Sequence, residues 1–205
     1  MSAEGDENRR DGYDLGRLLT FSDGVFAIAI TLLVLSIPVP SIPDGVPNRS
    51  ALLAGRLADI IPNLSGFALS FVLVGAHWII HHRVFRGVTR CDRVLLWLNL
   101  LLLLGICLVP FATTLLTRYG DTPTGLIVYA TLQLGISVAY LVLRLYLASQ
   151  KSGGYAEASL ALVQVVGFAV SIPVAFVSVQ WAYVLWLAGF AAARLLDGWT
   201  HASAR

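Results

Sequence analysis

The chain has 205 residues, of which 57% are hydrophobic and 13% are charged, and its formal net charge is +2. Soluble domains are roughly half apolar and about one quarter charged, so this composition excludes an ordinary soluble domain and indicates a membrane protein. The small net charge argues against nucleic acid as a partner. The two cysteines, Cys91 and Cys107, have no metal-ligand spacing and predict no disulfide framework.

The first element in chain order is a polar tail, predicted over residues 1–16. It mixes acidic and basic residues without apolar periodicity, as disordered segments do. The apolar stretch that follows is too long for the apolar region of a secretory signal. We therefore expect a disordered cytosolic tail here, and a second cytosolic tail over 199–205.

Six apolar stretches are predicted to cross the membrane, because each is close to the roughly 20 residues that a spanning helix needs. They cover 18–39, 57–81, 94–116, 124–148, 157–177 and 180–197. The last two lie almost directly against each other and the fifth contains Pro173, so five spans are an alternative if that pair is re-entrant. The expected fold is an all-α integral membrane protein with one six-helix domain over 17–198.

The distribution of Lys and Arg predicts the orientation of these spans. The predicted outer loops hold only Arg49, Arg56 and Arg118, and the other 11 of the 14 Lys and Arg residues fall on the inner side. Cytosolic loops of membrane proteins carry such an excess of positive charge. We therefore predict a multi-pass protein of the cell membrane with its N- and C-termini in the cytoplasm.

The first apolar stretch, RLLTFSDGVFAIAITLLVLSI over 17–37, carries polar residues that a simple anchor does not need. Successive helical residues turn by about 100°, which places Gly24, Ile28, Thr31, Leu32 and Leu35 on one stripe. The stripe has two interpretations. It packs against another helix, or it lines a pore whose apolar rings exclude water and whose Thr ring offers oxygen atoms to a partly dehydrated cation.

Ser22 and Asp23 project away from this stripe and are expected to face neighbouring helices. The second span carries a polar face that includes His77, and the third span carries Asn99. We hypothesise that Ser22, Asp23, His77 and Asn99 form one hydrogen-bonded group, because polar side chains inside a membrane need partners. Such a group would serve assembly, not chemistry. The full polar face of the second span comprises Asp59, Asn63, Ser70, His77 and His81.

The segment HWIIHH over 77–82 raises the alternative of a membrane enzyme, since clustered histidines bind iron in membrane desaturases and hydroxylases. Such sites need many ligands, and the chain has 4 histidines in all, the last of them His201 near its end. No good carboxylate partner accompanies them. We therefore expect no resident metal, no cofactor and no enzymatic activity.

The first stretch resembles the R-x-x-x-F-S-D signature on the first helix of the transmembrane protein 175 family, the endosomal and lysosomal potassium channels and their prokaryotic relatives. The segments GAHWIIHHRVF and RCDRVLLWLNLLLLLGICLVPF extend the resemblance, which weakens after about residue 120. The resemblance implies a K⁺-permeable cation channel that conducts passively. Animal members carry two six-span repeats and dimerise, so one repeat per chain implies a homotetramer with four first helices around a central pore.

The resemblance also implies residue roles. Ile28, Leu32 and Leu35 would form the apolar constriction that gates the pore. Thr31 would bias the pore towards K⁺. The residues implied to tie the first helix to its neighbours are Arg17, Phe21, Ser22 and Asp23, with His77 and Asn99 as their partners. The chain lacks the T-V-G-Y-G filter of common potassium channels, so moderate selectivity is expected.

Two other functions are open at this point. A proton-coupled transporter or proton pathway would use Asp23 and His77 as relay groups, because histidine changes its charge near neutral pH. A membrane scaffold would give no ion flux at all. The partners expected of a channel are the lipid bilayer, further copies of the chain and monovalent cations.

Overall fold

The computed structural model describes residues 14–150 and 158–186, and the regular elements in these ranges are helices. This confirms the predicted all-α fold for the described part of the chain. A further helical stretch covers 179–186. The main helices are α1 (Leu15–Leu32), which continues as a 3-10 turn over Leu33–Ser36, α2 (Arg49–Asp59), α3 (Ile61–Val84), α4 (Arg93–Tyr119), α5 (Pro123–Ser149) and α6 (Ala158–Val177).

Four of the described helical segments are long and apolar enough to cross a membrane, and a shorter apolar helix covers Leu162–Val177. The four are Leu15–Ser36, Ile61–Val84, Arg93–Tyr119 and Pro123–Ser149. They overlap the first four predicted spans. Part of the predicted sixth span, 180–197, lies outside the described residues. Most of the tail over 1–16 and all of the tail over 199–205 also lie outside them. The six-span count therefore stays a prediction.

The second predicted span differs most from its helix. It was expected over 57–81, whereas α2 ends at Asp59 and α3 begins at Ile61, with Pro62 in its first turn. Proline lacks a backbone N–H and is favoured in the first turn of a helix, where that donor has no partner in any case. The chain therefore restarts a helix at Ile61 and continues it to Val84.

Side-chain caps fix where three helices begin. Asp14 accepts from backbone amides in the first turn of α1. Asp92 accepts from the amide of Leu95 at 2.8 Å at the start of α4, and Thr122 accepts from the amide of Gly125 at 3.2 Å at the start of α5. Such caps satisfy amides that have no partner within the helix.

The apolar core has two parts. One surrounds Phe26, Leu33 and Leu102 and joins α1 to α3, α4 and α5. The other surrounds Tyr129 and Trp186 and joins α3, α4 and α5 to α6 and the stretch 179–186. The first part anchors α1 to the bundle through one face only.

Candidate functional site

One face of α1 is uncovered in the single chain. Ile28 is 60% exposed and Leu35 is 75% exposed, and Gly24, Thr31 and Leu32 are exposed as well. These five residues are the predicted stripe, so the structure brings them together on one side of the helix. An apolar face of this kind is suited to contact with lipid or with further copies of the chain.

The opposite face of α1 is packed against the bundle. Its buried residues are Leu18, Ser22, Phe26 and Ala29. The helical period of 3.6 residues separates this face from the stripe. One helix therefore presents a bonded face to its own subunit and a free face away from it.

Thr31 is the polar member of the uncovered face. Its hydroxyl donates to the carbonyl oxygen of Ile28, one turn earlier, at 2.8 Å. A threonine bonded in this way donates its hydroxyl proton within its own helix. The lone pairs of its Oγ1 can still accept a hydrogen bond or contact a cation. Such an oxygen can face a cation without leaving an unpaired donor behind.

Ser22, Asn99 and His81 form a buried hydrogen-bonded chain between α1, α4 and α3. Asn99 Nδ2 donates to Ser22 Oγ at 3.0 Å, and Asn99 Oδ1 lies 2.8 Å from His81 Nε2. Ser22 in turn donates to the carbonyl oxygen of Leu18 at 2.9 Å. Because an amide oxygen only accepts, His81 donates from Nε2 in this arrangement. This series of hydrogen bonds connects α1 to α4 and α3 through Asn99.

The structure corrects the predicted four-residue group. Ser22 and Asn99 bond as expected, but His81 contacts Asn99 in the place predicted for His77. The two histidines are four residues apart and share one face of α3, so they differ in depth and not in direction. The register between the antiparallel helices α3 and α4 brings His81 to the level of Asn99, and the sequence alone does not determine that register.

Asp23 also has a different partner from the one predicted. Its Oδ1 accepts from Trp78 Nε1 at 2.9 Å, at the exposed edge of the contact between α1 and α3. Sequence reasoning missed Trp78, although its position directly after His77 placed an indole N–H next to the expected site. The contact links α1 to α3 separately from the Ser22–Asn99–His81 chain.

His77 lies in a second buried cluster, with α5. Its Nε2 is 3.0 Å from Gln133 Oε1, and the hydroxyl of Tyr140 donates to its backbone carbonyl. The rings of His77 and Tyr140 are stacked, with their centroids 5.5 Å apart. Gln133 was missed by sequence reasoning, although an amide within an apolar helix is itself a signal for a buried partner.

A third buried cluster lies nearer the turn between α4 and α5. Thr113 donates to Ser70 Oγ at 2.7 Å, and Ser70 Oγ is 3.0 Å from the hydroxyl of Tyr129. All three side chains are fully buried. Sequence reasoning had placed only Ser70 on a polar face. Polar contacts at three depths therefore hold α3 against α1, α4 and α5.

Arg17 and Phe21 do not reach these clusters. Both are exposed in the single chain, and the side chain of Arg17 makes no hydrogen bond or ion pair with a described residue. They lie on the same side of α1 as Gly24 and Ile28, because residues three and four apart share a helical face. No hydrogen bond, ion pair or ring contact in the described part of the chain supports their predicted role in tying α1 to neighbouring helices.

The histidines do not assemble a metal site in the part of the chain that the structure describes, where no group of three or more His, Cys, Asp or Glu side chains could hold an ion. His77 and His81 are bonded to amide side chains on different helices. His82 is exposed, and His201 lies outside the described residues.

Comparison with known proteins gives similarity to one family. Residues 17–110 match the family described as endosomal/lysosomal potassium channel TMEM175. A protein from Streptomyces collinus named as a potassium channel is 44% identical over 104 residues, which are 51% of this chain and 48% of that protein. The aligned part therefore spans about half the length of that relative. The human endosomal/lysosomal proton channel TMEM175 is 29% identical over 137 residues, 65% of this chain and 26% of that protein.

A solved structure is similar over most of the chain. It is the crystal structure of a lysosomal potassium-selective channel TMEM175 homolog from Chamaesiphon minutus. The two chains are 32% identical and superpose with a TM-score of 0.76, covering 89% of this chain and 95% of the other.

Proposed function

This chain belongs to the TMEM175 family, and on that premise we propose that it forms a potassium-permeable cation channel. Membership follows from the Chamaesiphon homologue, of which the chain covers 95% at 32% identity, together with the match over residues 17–110. The resemblance predicted from the sequence is confirmed. The relatives are named as channels, a non-enzymatic class, and the apolar helices make this a multi-pass membrane protein.

The observation that carries the proposal is the uncovered face of α1. Ile28, Thr31, Leu32 and Leu35 lie on this face, while the opposite face is bonded and packed into the subunit. In a homotetramer, four such faces would surround one axis. Their side chains at Ile28, Leu32 and Leu35 would form apolar rings that exclude water and so gate the pore.

A closed ring is the assembly that makes use of this face. One helix cannot enclose a pore, and soluble and membrane oligomers usually adopt closed cyclic symmetry. Four copies give the ring that the resemblance implies, with both termini in the cytoplasm of the cell that carries it. K⁺ is then the permeating ion, and no cofactor takes part.

Thr31 supplies the selectivity in this proposal. Its proton is held by the carbonyl of Ile28, so Oγ1 offers lone pairs towards the axis. A ring of such oxygens would replace part of the hydration shell of K⁺ more easily than that of Na⁺, whose water is bound more tightly.

The test is ion flux through purified protein in liposomes, with K⁺, Na⁺ and a large organic cation compared in the absence of a proton gradient. We expect flux that favours K⁺. Ile28→Asn should wet the constriction, raise the flux of all three ions and reduce selectivity. Val142→Asn, which makes the same kind of change at a partly exposed position on α5, should leave both unchanged. Equal behaviour of the two variants would reject the pore face.

The role of Thr31 is tested in the same assay. Thr31→Ala removes the oxygen and should lower the K⁺ to Na⁺ flux ratio, whereas Thr31→Ser keeps a hydroxyl and should preserve most of it. An unchanged ratio in Thr31→Ala would mean that selectivity arises elsewhere in the pore.

A proton route is the second candidate, because the human relative is named as a proton channel. The relay predicted from the sequence would pass between Asp23 and His77, but these two residues bond to different partners, Trp78 and Gln133. Flux that appears only after a proton gradient is imposed, and that Asp23→Asn abolishes, would favour this candidate over passive K⁺ conduction.

A further inference from the structure

The turn between α3 and α4 carries a group of four arginines, three of which are exposed. Arg83, Arg86, Arg90 and Arg93 fall within residues 83–93, where the single acidic residue is Asp92. Arg86, Arg90 and Arg93 are exposed, and none of these three forms an ion pair with a described residue. Through these three arginines the turn presents positive charge that no described residue neutralises, at one end of the bundle.

The single carboxylate of the turn is already engaged. Asp92 Oδ1 accepts from the backbone amide of Leu95 at 2.8 Å, and its other oxygen accepts from the hydroxyl of Tyr146. Both carboxylate oxygens of Asp92 therefore have partners other than the arginines beside it in sequence. Within the described residues, the charge of Arg86, Arg90 and Arg93 is thus left without a partner.

The turn is also held in a fixed shape. Phe85, Val88 and Cys91 are buried in the first part of the core, and Gly87 adopts a φ of +86° that favours glycine. The buried residues alternate with the exposed arginines. The guanidinium groups are consequently carried on an anchored turn and not on a loose loop.

An uncovered apolar path begins next to these charges. Trp97 lies one turn after Arg93 on the same face of α4 and is 64% exposed. Leu101 and Leu104 continue the uncovered face along the helix. Tryptophan at the boundary of a membrane marks the level of lipid headgroups, and leucines beyond it face the acyl chains.

We propose that this surface, Arg86, Arg90 and Arg93 with the path from Trp97 to Leu104, binds an anionic phospholipid. The guanidinium groups would hold the phosphate, since arginine matches phosphate geometry and stays charged. One acyl chain would lie on Trp97, Leu101 and Leu104. Clusters of basic residues next to membrane helices bind anionic lipids. Each Lys or Arg contributes about 1 kcal/mol, which is about fivefold in affinity.

The arginines could instead serve only to orient the spans in the membrane, and that role predicts a different result from lipid binding. Arginines that serve only to keep the turn on the cytosolic side act during insertion and need no lipid afterwards. A lipid site, in contrast, gives the folded protein a preference for anionic over zwitterionic lipid that persists at equilibrium.

The experiment measures lipid preference with the intact chain in liposomes. Quenching of tryptophan fluorescence by brominated phosphatidylglycerol is compared with quenching by brominated phosphatidylcholine, and the part due to Trp97 is taken as the difference from Trp97→Phe. We expect preference for phosphatidylglycerol at Trp97. The triple variant R86Q/R90Q/R93Q should lower that preference by up to about fivefold for each arginine.

Matched variants separate the site from general charge. R86K/R90K/R93K keeps the charge and the expected orientation, and it should keep most of the preference. R49Q/R56Q removes positive charge from a different segment and should leave the preference at Trp97 unchanged. Equal preference in the parent and the triple glutamine variant would overturn the proposal.

Two further measurements keep the test decisive if the triple variant does not fold. The preference of the parent should fall as KCl is raised, because salt screens exposed charges, and a preference that ignores salt would overturn the proposal. Inorganic phosphate at equal concentration should not displace the lipid. Displacement would mean a site for soluble phosphate and would reject the lipid as its occupant.

Discussion

Asn99 carries the link between α1 and α3, because its amide donates to Ser22 and accepts from His81. The sequence predicted Ser22 and Asn99 as partners, since each is a small polar side chain inside an apolar helix. It predicted His77 as the histidine of this group, whereas His81, on the same helical face, is the one bonded to Asn99. Helical periodicity predicts which face of a helix carries a side chain. The level at which that side chain meets a neighbouring helix depends on the register between the two helices, which only the folded bundle defines.

Replacing Asn99 tests how much this link contributes. Asn99→Leu leaves Ser22 and His81 without their cross-helix partner, and an unpaired buried polar group costs about 1–3 kcal/mol. We expect a lower melting temperature in detergent. Asn63→Leu, at a partly exposed asparagine of α3, should change it little. Equal melting temperatures for both variants would mean that the buried link does not stabilise the fold.

Asp92 gives the turn between α3 and α4 a dependence on pH. Burial raises the pKa of Asp92, but hydrogen bonds from Tyr146 and from backbone amides outweigh it, so the pKa lies below its ordinary value of 3.8. A carboxyl with a lowered pKa stabilises the fold above its unfolded pKa. That stabilisation is lost as the pH falls through the folded value.

Tyr146→Phe removes one donor to this carboxylate and keeps the ring. The variant should melt at a lower temperature than the parent at neutral pH, and the two should converge as the pH falls through the pKa of folded Asp92, which lies below 3.8. Melting curves across this range measure the effect. Tyr119→Phe, at an exposed tyrosine, is the control. A constant difference at all pH values would show that the lost contact is not with the ionised carboxylate.

In the middle of α4 and α5, close approach of the two helices depends on Gly105. A Cβ built at Gly105 would lie 2.7 Å from Ile136 Cγ1, whereas one built at Gly135 would meet nothing within 4 Å. Both glycines lie inside long apolar helices, and the sequence gives no reason to separate them. Their difference arises from how the two helices cross, which is a property of the packed pair.

The two glycines provide a matched test of helix packing. Gly105→Ala should separate α4 from α5 or force Ile136 from its rotamer, at a typical cost of about 1–3 kcal/mol. Gly135→Ala should be neutral or slightly stabilising, because alanine favours the helix. Thermal stability in detergent measures both variants. A Gly105→Ala protein as stable as Gly135→Ala would indicate that the helices adjust freely.

Element boundaries show what composition alone can predict. The starts of α4 and α5 agree with their predicted spans to within one residue, because a capping side chain stands before each apolar run. The second span was placed too early, because the apolar residues of α2 were joined to those of α3. Pro62 was the signal that a new helix starts there.

At the scale of the whole molecule, the proposed homotetramer makes a prediction about distance. Leu35 is 75% exposed in one chain, and in a ring of four α1 helices its copies would meet near the axis. Leu35→Cys, with Cys91 and Cys107 replaced by serine, should form disulfide-linked dimers in membranes upon oxidation. Val142→Cys in the same background should not, and equal cross-linking of both would argue against a central α1.

The exposure of α2, the helix before α3, should make this segment tolerant of substitutions and insertions. No residue of α2 is buried, and its ion pair between Arg49 and Asp44 is exposed. Substitutions there remove no buried side chain and no buried hydrogen bond, whereas substitutions across α4 remove both. A complete mutational scan should therefore show a flat profile over residues 49–59 and a steep one over 95–116, and an epitope inserted at Gly55 should leave the bundle folded.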